Sequence, residues 1–266
     1  MTAFGCVLKE LRQQKRLSQM SLALEAEVSS RHISFMENGR SKPSRDMVLH
    51  LSNILDVSSR DANLLLSSAG FTQEYSESEL SDEKLKDVRS ALSYMMDAHD
   101  PYPAIVVDRE WNLLMANRTY MMLTNYFLQQ GASFPDTTNV MDVFFHPDGY
   151  RLFVKNWEDV AIFLLRRIYR EHLASLQRDM PNSLLDRILM MPGIPKDWKV
   201  RPLEFAALPM VKVEIEINSL QLALFSTIST FGTALDVTLQ DLRVEHYFPG
   251  DEHSKAFFTK LASEYQ

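Results

Sequence analysis

Apolar positions recur along the first 70 residues with the three- and four-residue steps of helices. Phe4, Val7, Leu8 and Leu11 form one face of a first helix. Ser18 is placed to cap a second, SQMSLALEA, with Leu22 and Ala23 turned inward. Ser29 caps a third, SSRHISFMENG, whose core face is Ile33 and Met36 and which Gly39 ends. Pro43 and Ser44 open a fourth, carrying Met47, Leu51, Ile54 and Leu55 at helical spacing. Asp61–Ala69 makes a fifth, closed by Gly70.

Periodicity then stops. Residues 72–84, TQEYSESELSDEK, are polar and acidic and read as a linker. A helix over about 84–98 precedes PAIVVDREWNLLMAN, two short strands joined at Asp108–Glu110. Short helices and loops fill 118–150. Trp157, Val160, Ala161, Leu164 and Ile168 mark a long amphipathic helix. The period changes to two at Val211, Val213, Ile215 and Ile217, which alternate with Lys212, Glu214 and Glu216. Asn218 and Ser219 supply a hairpin turn, so Ile217 should pair with Leu220 and one sheet face should continue through Leu222, Leu224, Ser226 and Ile228. RVEHYF, 243–248, is a last strand. The pattern predicts an all-α domain over 1–71, a linker over 72–84, and an α+β domain with an antiparallel sheet over 85–266. There is no internal repeat.

Composition sharpens this picture in two respects. No apolar run approaches the roughly 18–20 residues of a membrane span, and MTAFGCVLKELRQQ carries charges where a signal peptide is apolar, so a cytoplasmic location without membrane attachment is expected. The net charge of −7 speaks against a polyanionic partner until its distribution is considered. Residues 1–70 hold 9 Lys and Arg against 7 Asp and Glu, whereas the rest of the chain holds 19 against 28. A nucleic acid would therefore meet the head.

LSQMSLALEAEVSSRHISFMENGRSKPS resembles the helix-turn-helix of the Cro/C1-type phage repressors, the XRE family. Ser18-Gln19, Leu22-Ala23, Val28-Ser29, Ile33 and Glu37-Asn38-Gly39-Arg40 fall at the family spacing. The resemblance implies that double-stranded operator DNA is the partner, read by a dimer. It places Ser30, Arg31, His32 and Ser34 on the exposed part of the recognition helix, beside the capping Ser29. Arg31 is the candidate for a base contact, because its fork matches guanine O6 and N7. Gln19, Arg40 and Lys42 are candidates for phosphate. The resemblance also implies a buried ion pair between Arg12 and Glu37. Where many members place glycine in the turn, this chain has Glu27.

AHDPYPAIVVDREWNLLMAN, HPDGYRLFVKNWEDVA and FSTISTFGTALDVTLQDLRVEHYFPGD resemble the C-terminal domain of the MmyB-like transcription regulators. That likeness implies a PAS-like sensor for a small apolar ligand, with fatty acids the suggested class. The sheet-face argument nominates Ile215, Leu222, Leu224, Ser226 and Ile228. Pairing Val107 with Trp111 across a three-residue loop adds Leu113 and Met115. The same residues could equally form a solid core, and the body could instead serve dimerisation or a protein partner without any ligand.

Signs of catalysis are poor. Cys6 falls within the first helix and reads as a packing residue. His146-Pro147-Asp148-Gly149 reads as a turn, and His246 and His253 lack partners at metal-ligand spacing. No glycine-rich phosphate loop occurs, and neither a cofactor nor a metal is expected.

Overall fold

Serine and threonine side chains start the helices of the first unit. Thr2, Ser18, Ser29, Ser44 and Ser58 each accept a hydrogen bond from a first-turn N–H, one of the donors a helix leaves open there. They open α1 (Ala3–Gln14), α2 (Gln19–Glu25), α3 (Ser30–Glu37), α4 (Arg45–Ile54) and α5 (Ser59–Ser68). The last begins two residues before the expected start because Ser58 takes the cap. The computed structural model describes residues 2–174, 182–202, 210–232, 234 and 236–263. The first unit consists mainly of Met1–Glu79 and Gly232–Gln240, the second of Leu80–His172, Met180–Phe231 and Asp241–Gln266.

Leu8, Leu22, Ile33, Met36, Leu51 and Leu65 are fully buried at the centre of the five-helix head. Gly5 lies where α1 meets the end of α3, and a Cβ there would come within 2.1 Å of the Glu37 carbonyl oxygen. Cys6 corrects an expectation: it lies off the Phe4-Leu8-Leu11 face, exposed to solvent. Residues 72–79, part of the stretch read as a linker, belong to this unit. Buried Asn63 donates to the Tyr75 carbonyl (2.8 Å) and accepts from the Glu74 and Tyr75 N–H groups (3.1 Å each). Ser76 donates to Asp236 (2.8 Å), and the Ser59 N–H donates to Gln240 (3.0 Å).

The second unit opens with α6 (Lys86–Asp97), β1 (Ala104–Val107) and β2 (Leu113–Ala116). Then come α7 (Arg118–Gln129), α8 (Val140–Phe145), α9 (Trp157–Ala174) and α10 (Leu184–Leu189). Next are β3 (Val213–Ile217), β4 (Leu220–Ser229), β5 (Arg243–Pro249) and α12 (Glu252–Ser263), while α11 (Val237–Asp241), between β4 and β5 in the chain, falls almost wholly in the first unit. Among the described residues the strands form one antiparallel sheet in the order β2-β1-β5-β4-β3. An all-α helix-turn-helix domain is thus followed by an α+β, PAS-like domain.

Ile217 pairs with Leu220 as expected, and Asn218 adopts a φ of 53° in the turn. The β1–β2 register differs from the expected one. Val107 pairs with Leu113, not Trp111, and a bulge then sets Val106 opposite Met115. Polar side chains widen this loop: Asp108 accepts from the Asn112 N–H and side-chain amide (2.8 Å each), and Asn139 donates to the Glu110 carbonyl (2.6 Å). The bulge sends Leu113 and Met115 to opposite faces. Helix α12 was not anticipated. Asp251 accepts from the Ser254 N–H at its start, and Ser254 accepts from the Ala223 N–H of β4 (2.8 Å). Among the described residues, no helix is long and apolar enough to cross a membrane.

Candidate functional site

The turn between α2 and α3 is closed by backbone bonds, with the Val28 N–H donating to the Ala23 carbonyl (2.9 Å). Glu27 takes the left-handed conformation at φ 53°, which costs a non-glycine residue roughly 1–2 kcal/mol. A buried network offsets that strain. Arg12 donates to both oxygens of Glu37, at 2.6 and 3.0 Å, and to the Leu17 carbonyl at 2.8 Å. Gln19 adds a third donor to Glu37 at 2.7 Å. One carboxylate at the end of α3 thus holds α1 and the start of α2, fixing the orientation of the helix that carries the candidate recognition residues.

On that helix, Ser29, Ser30 and Arg31 are exposed, whereas His32 and Ser34 are half-buried. Ser29 is engaged as the cap, accepting from the His32 N–H (3.1 Å). Ser34 sits against Asn38, whose amide donates to its carbonyl (2.8 Å). Arg40 and Lys42 are exposed beyond the C-terminus of α3. Gln19 is half-buried, with its amide committed to Glu37. The sequence reading missed Phe35. Its ring lies 5.0 Å below the Arg31 guanidinium and 5.9 Å from that of Arg40, so it supports two cations on the exposed surface. An aromatic residue four positions after Arg31 was the available signal.

The second unit contains a cavity of about 160 Å³ between the sheet and α7, α8 and α9. Its walls are mostly apolar. Leu123 and Phe127 come from α7, Met141 and Phe144 from α8, and Val160 and Leu164 from α9. Of the nominated residues, Ile215, Leu224 and Ser226 line it. Leu222 is buried in the same apolar cluster as Ile215 and Leu224, together with Phe258 and Leu261, but does not line the cavity. Val107, Leu113 and Ile228 pack around Trp111, α9 and α10 as ordinary core. Trp111 occupies the β1–β2 loop with φ 69°, and its indole N–H donates to Glu171 (3.1 Å). Met115 is turned to the other sheet face.

Polar groups gather at one part of the cavity lining. Thr124 and the Tyr150 hydroxyl lie 3.0 Å apart, and the Tyr150 and Tyr120 hydroxyls 3.4 Å apart. Ser226 donates to one oxygen of Glu245 (2.6 Å) and the Tyr247 hydroxyl to the other (3.1 Å). Burial pushes the Tyr120 and Tyr247 hydroxyls well above the ordinary phenol range, helped by Tyr150 and Glu245 respectively. Burial also raises Tyr150. These phenols therefore stay protonated. Burial raises Glu245 too, although hydrogen bonds from Ser226 and Tyr247 and the charges of Arg167 and Arg243 pull the other way. None of Tyr120, Tyr150, Glu245 or Tyr247 was nominated from sequence.

An exposed recognition helix held by a buried network, followed by a PAS-like domain with an apolar cavity, defines a transcription regulator with a DNA-binding and a ligand-binding domain. Residues 8–61 match the helix-turn-helix family model, and residues 88–261 match that of the MmyB-like transcription regulator ligand binding domain. The second match spans well over half of the chain, which belongs to the MmyB-like transcription regulators. No curated protein matches the sequence.

Proposed function

We propose that this chain is a one-component regulator that binds operator DNA as a homodimer and changes its operator affinity when the cavity takes up an apolar ligand. The apolar cavity lined by Leu123, Phe127, Met141 and Leu224 carries the reading. Burial is worth roughly 25 cal/mol per Å² of apolar area, and a sugar or nucleotide there would leave hydroxyls or phosphates unpaired. An acyl or alkyl chain suits such walls, and fatty acids are the class that the family likeness suggests. The protein would act in the cytoplasm, without catalysis. Arg31 would read a base, Arg40 and Lys42 would hold phosphates, and two half-sites would lie about one helical turn apart.

Leu224→Trp tests the cavity. Thermal melts of the full chain with and without decanoate or decanol should show a ligand-dependent shift in the wild type and none in the variant. Operator binding, followed by fluorescence anisotropy, should respond to ligand only in the wild type. A ligand-insensitive wild type together with a strongly destabilised variant would identify a solid core and a body used only for assembly.

A further inference from the structure

Phe35 has no place in the core of the head. Ile33 and Met36 are the fully buried apolar residues of α3. Among the described residues, Phe35 is not packed on the apolar cluster that these two share with Leu8, Leu22 and Leu51. Its half-buried ring meets two guanidiniums instead, with Arg31 Cζ 5.0 Å and Arg40 Cζ 5.9 Å from the centroid. Local structure dictates both contacts. Arg31 stands one helical turn before Phe35, on the same face. The end of α3 returns Arg40 to that face: Gly39 takes a φ of 73° and its N–H donates to the Met36 carbonyl (3.2 Å), while the Arg40 N–H donates to the Phe35 carbonyl (2.8 Å). Glycine-closed helix ends of this kind commonly bring an apolar pair together, and here a cation takes one of the two places.

Both guanidiniums are exposed, and among the described residues neither forms an ion pair or a side-chain hydrogen bond. Arg12 differs, spending its donors on Glu37 and the Leu17 carbonyl. A salt bridge holds an arginine by occupying its N–H groups and offsetting its charge. A ring face holds it through the π system and leaves the donors and the charge for another partner. We infer that Phe35 is a positioning residue for DNA recognition: its ring holds Arg31 and Arg40 on the exposed surface with their donors free, so discrimination at the base pair that Arg31 reads depends on an aromatic face at position 35. A side chain ordered beforehand loses less rotamer freedom on binding. The inference rests on the reading of α3 as the helix that meets operator DNA, with Arg31 on a base and Arg40 on a phosphate.

The test uses the full chain and the duplex that it enriches from a randomised pool, followed by anisotropy, with that duplex then altered one base pair at a time. Phe35→Leu keeps apolar bulk and removes the π face, whereas Phe35→Tyr keeps both. Phe35→Leu should weaken binding of the enriched duplex about tenfold, the order expected for ordering two long side chains. It should relax discrimination most at the base pair that Arg31→Ala relaxes. Phe35→Tyr should stay within about twofold of the wild type. Added to Arg31→Ala, Phe35→Leu should cost only the share that belongs to Arg40, about threefold. Wild-type affinity in Phe35→Leu, or a loss equal for every duplex, overturns the inference and leaves the operator reading standing. So does a loss in Phe35→Tyr as large as that in Phe35→Leu. Should Phe35→Leu fold poorly, nuclear magnetic resonance of the free wild type decides: the Cδ protons of Arg31 and Arg40 should be shifted upfield by the ring, and ordinary positions overturn the inference. An Arg31→Ala variant that keeps every base preference rejects the base reading itself, and the inference with it.

Discussion

Glu37 receives three side-chain donors while being 2% exposed. Its removal would leave the Arg12 guanidinium buried without a counter-charge, the situation in which breaking an ion pair costs roughly 3–5 kcal/mol. Glu37→Ala should therefore lower the stability of the head by that order, measured by chemical denaturation. The loss should exceed that of Gln19→Ala, because Gln19 contributes one neutral donor to a pair that stays intact. Several of these residues were legible through the family resemblance. Arg12 and Glu37 were paired correctly, and Glu27 does take the left-handed turn position. Cys6 was misjudged because membership of a helix does not say which face a residue occupies.

Recognition helix α3 is the element on which DNA affinity and DNA specificity should separate. Arg31→Ala should cost roughly 1–3 kcal/mol and relax the preference at one base position. Lys42→Ala should weaken all sequences about equally and flatten the salt dependence. Anisotropy titrations on matched and mismatched operators at several salt concentrations distinguish the two; equal effects everywhere would reverse the assignment. Truncation after residue 71 should also be informative. It strips Asn63 of its partners at Glu74 and Tyr75, and an unsatisfied buried amide costs roughly 1–3 kcal/mol. A head ending at residue 79 should melt correspondingly higher. Elements were readable where one face is buried and the turn is local, as in α1–α3 and the β3–β4 hairpin. The β1–β2 register was not readable, because distant Asn139 shapes that loop. Nor was the polar part of the cavity lining. The reading of RVEHYF as a last strand does not say which of its alternating side chains meet the cavity. In fact β5 is a central strand covered on both faces, so Arg243, Glu245 and Tyr247 point towards the α9 side while His99 packs on His246 and Phe248.

At the scale of the whole molecule, burial of Glu245 should leave a signature in pH. Ser226, Tyr247, Arg167 and Arg243 favour its charged form, and burial outweighs them. Its folded pKa therefore lies above the unfolded one, so the folded chain holds a proton that the unfolded chain releases. Stability from this group is present at low pH and is lost as pH rises from the ordinary carboxylate range through the raised value. Glu171 works in the opposite sense. Burial disfavours its charge, but Arg243 and hydrogen bonds from Trp111, Arg243 and Arg167 hold its pKa down, and its contribution is lost on acidification. The melting temperature of the wild type should fall relative to Glu245→Gln as pH rises through that window, and a constant difference would refute the assignment. A different consequence follows from the exposed thiol on α1. Cys6 is the only cysteine in the sequence and faces solvent. A nitroxide attached there labels each protomer once, with no cysteine to be removed beforehand. A monomer then gives no spin–spin distance at all, whereas a dimer gives a single one between two heads. Double electron–electron resonance with and without operator would thus report how far apart two recognition helices are carried, from the unmodified sequence.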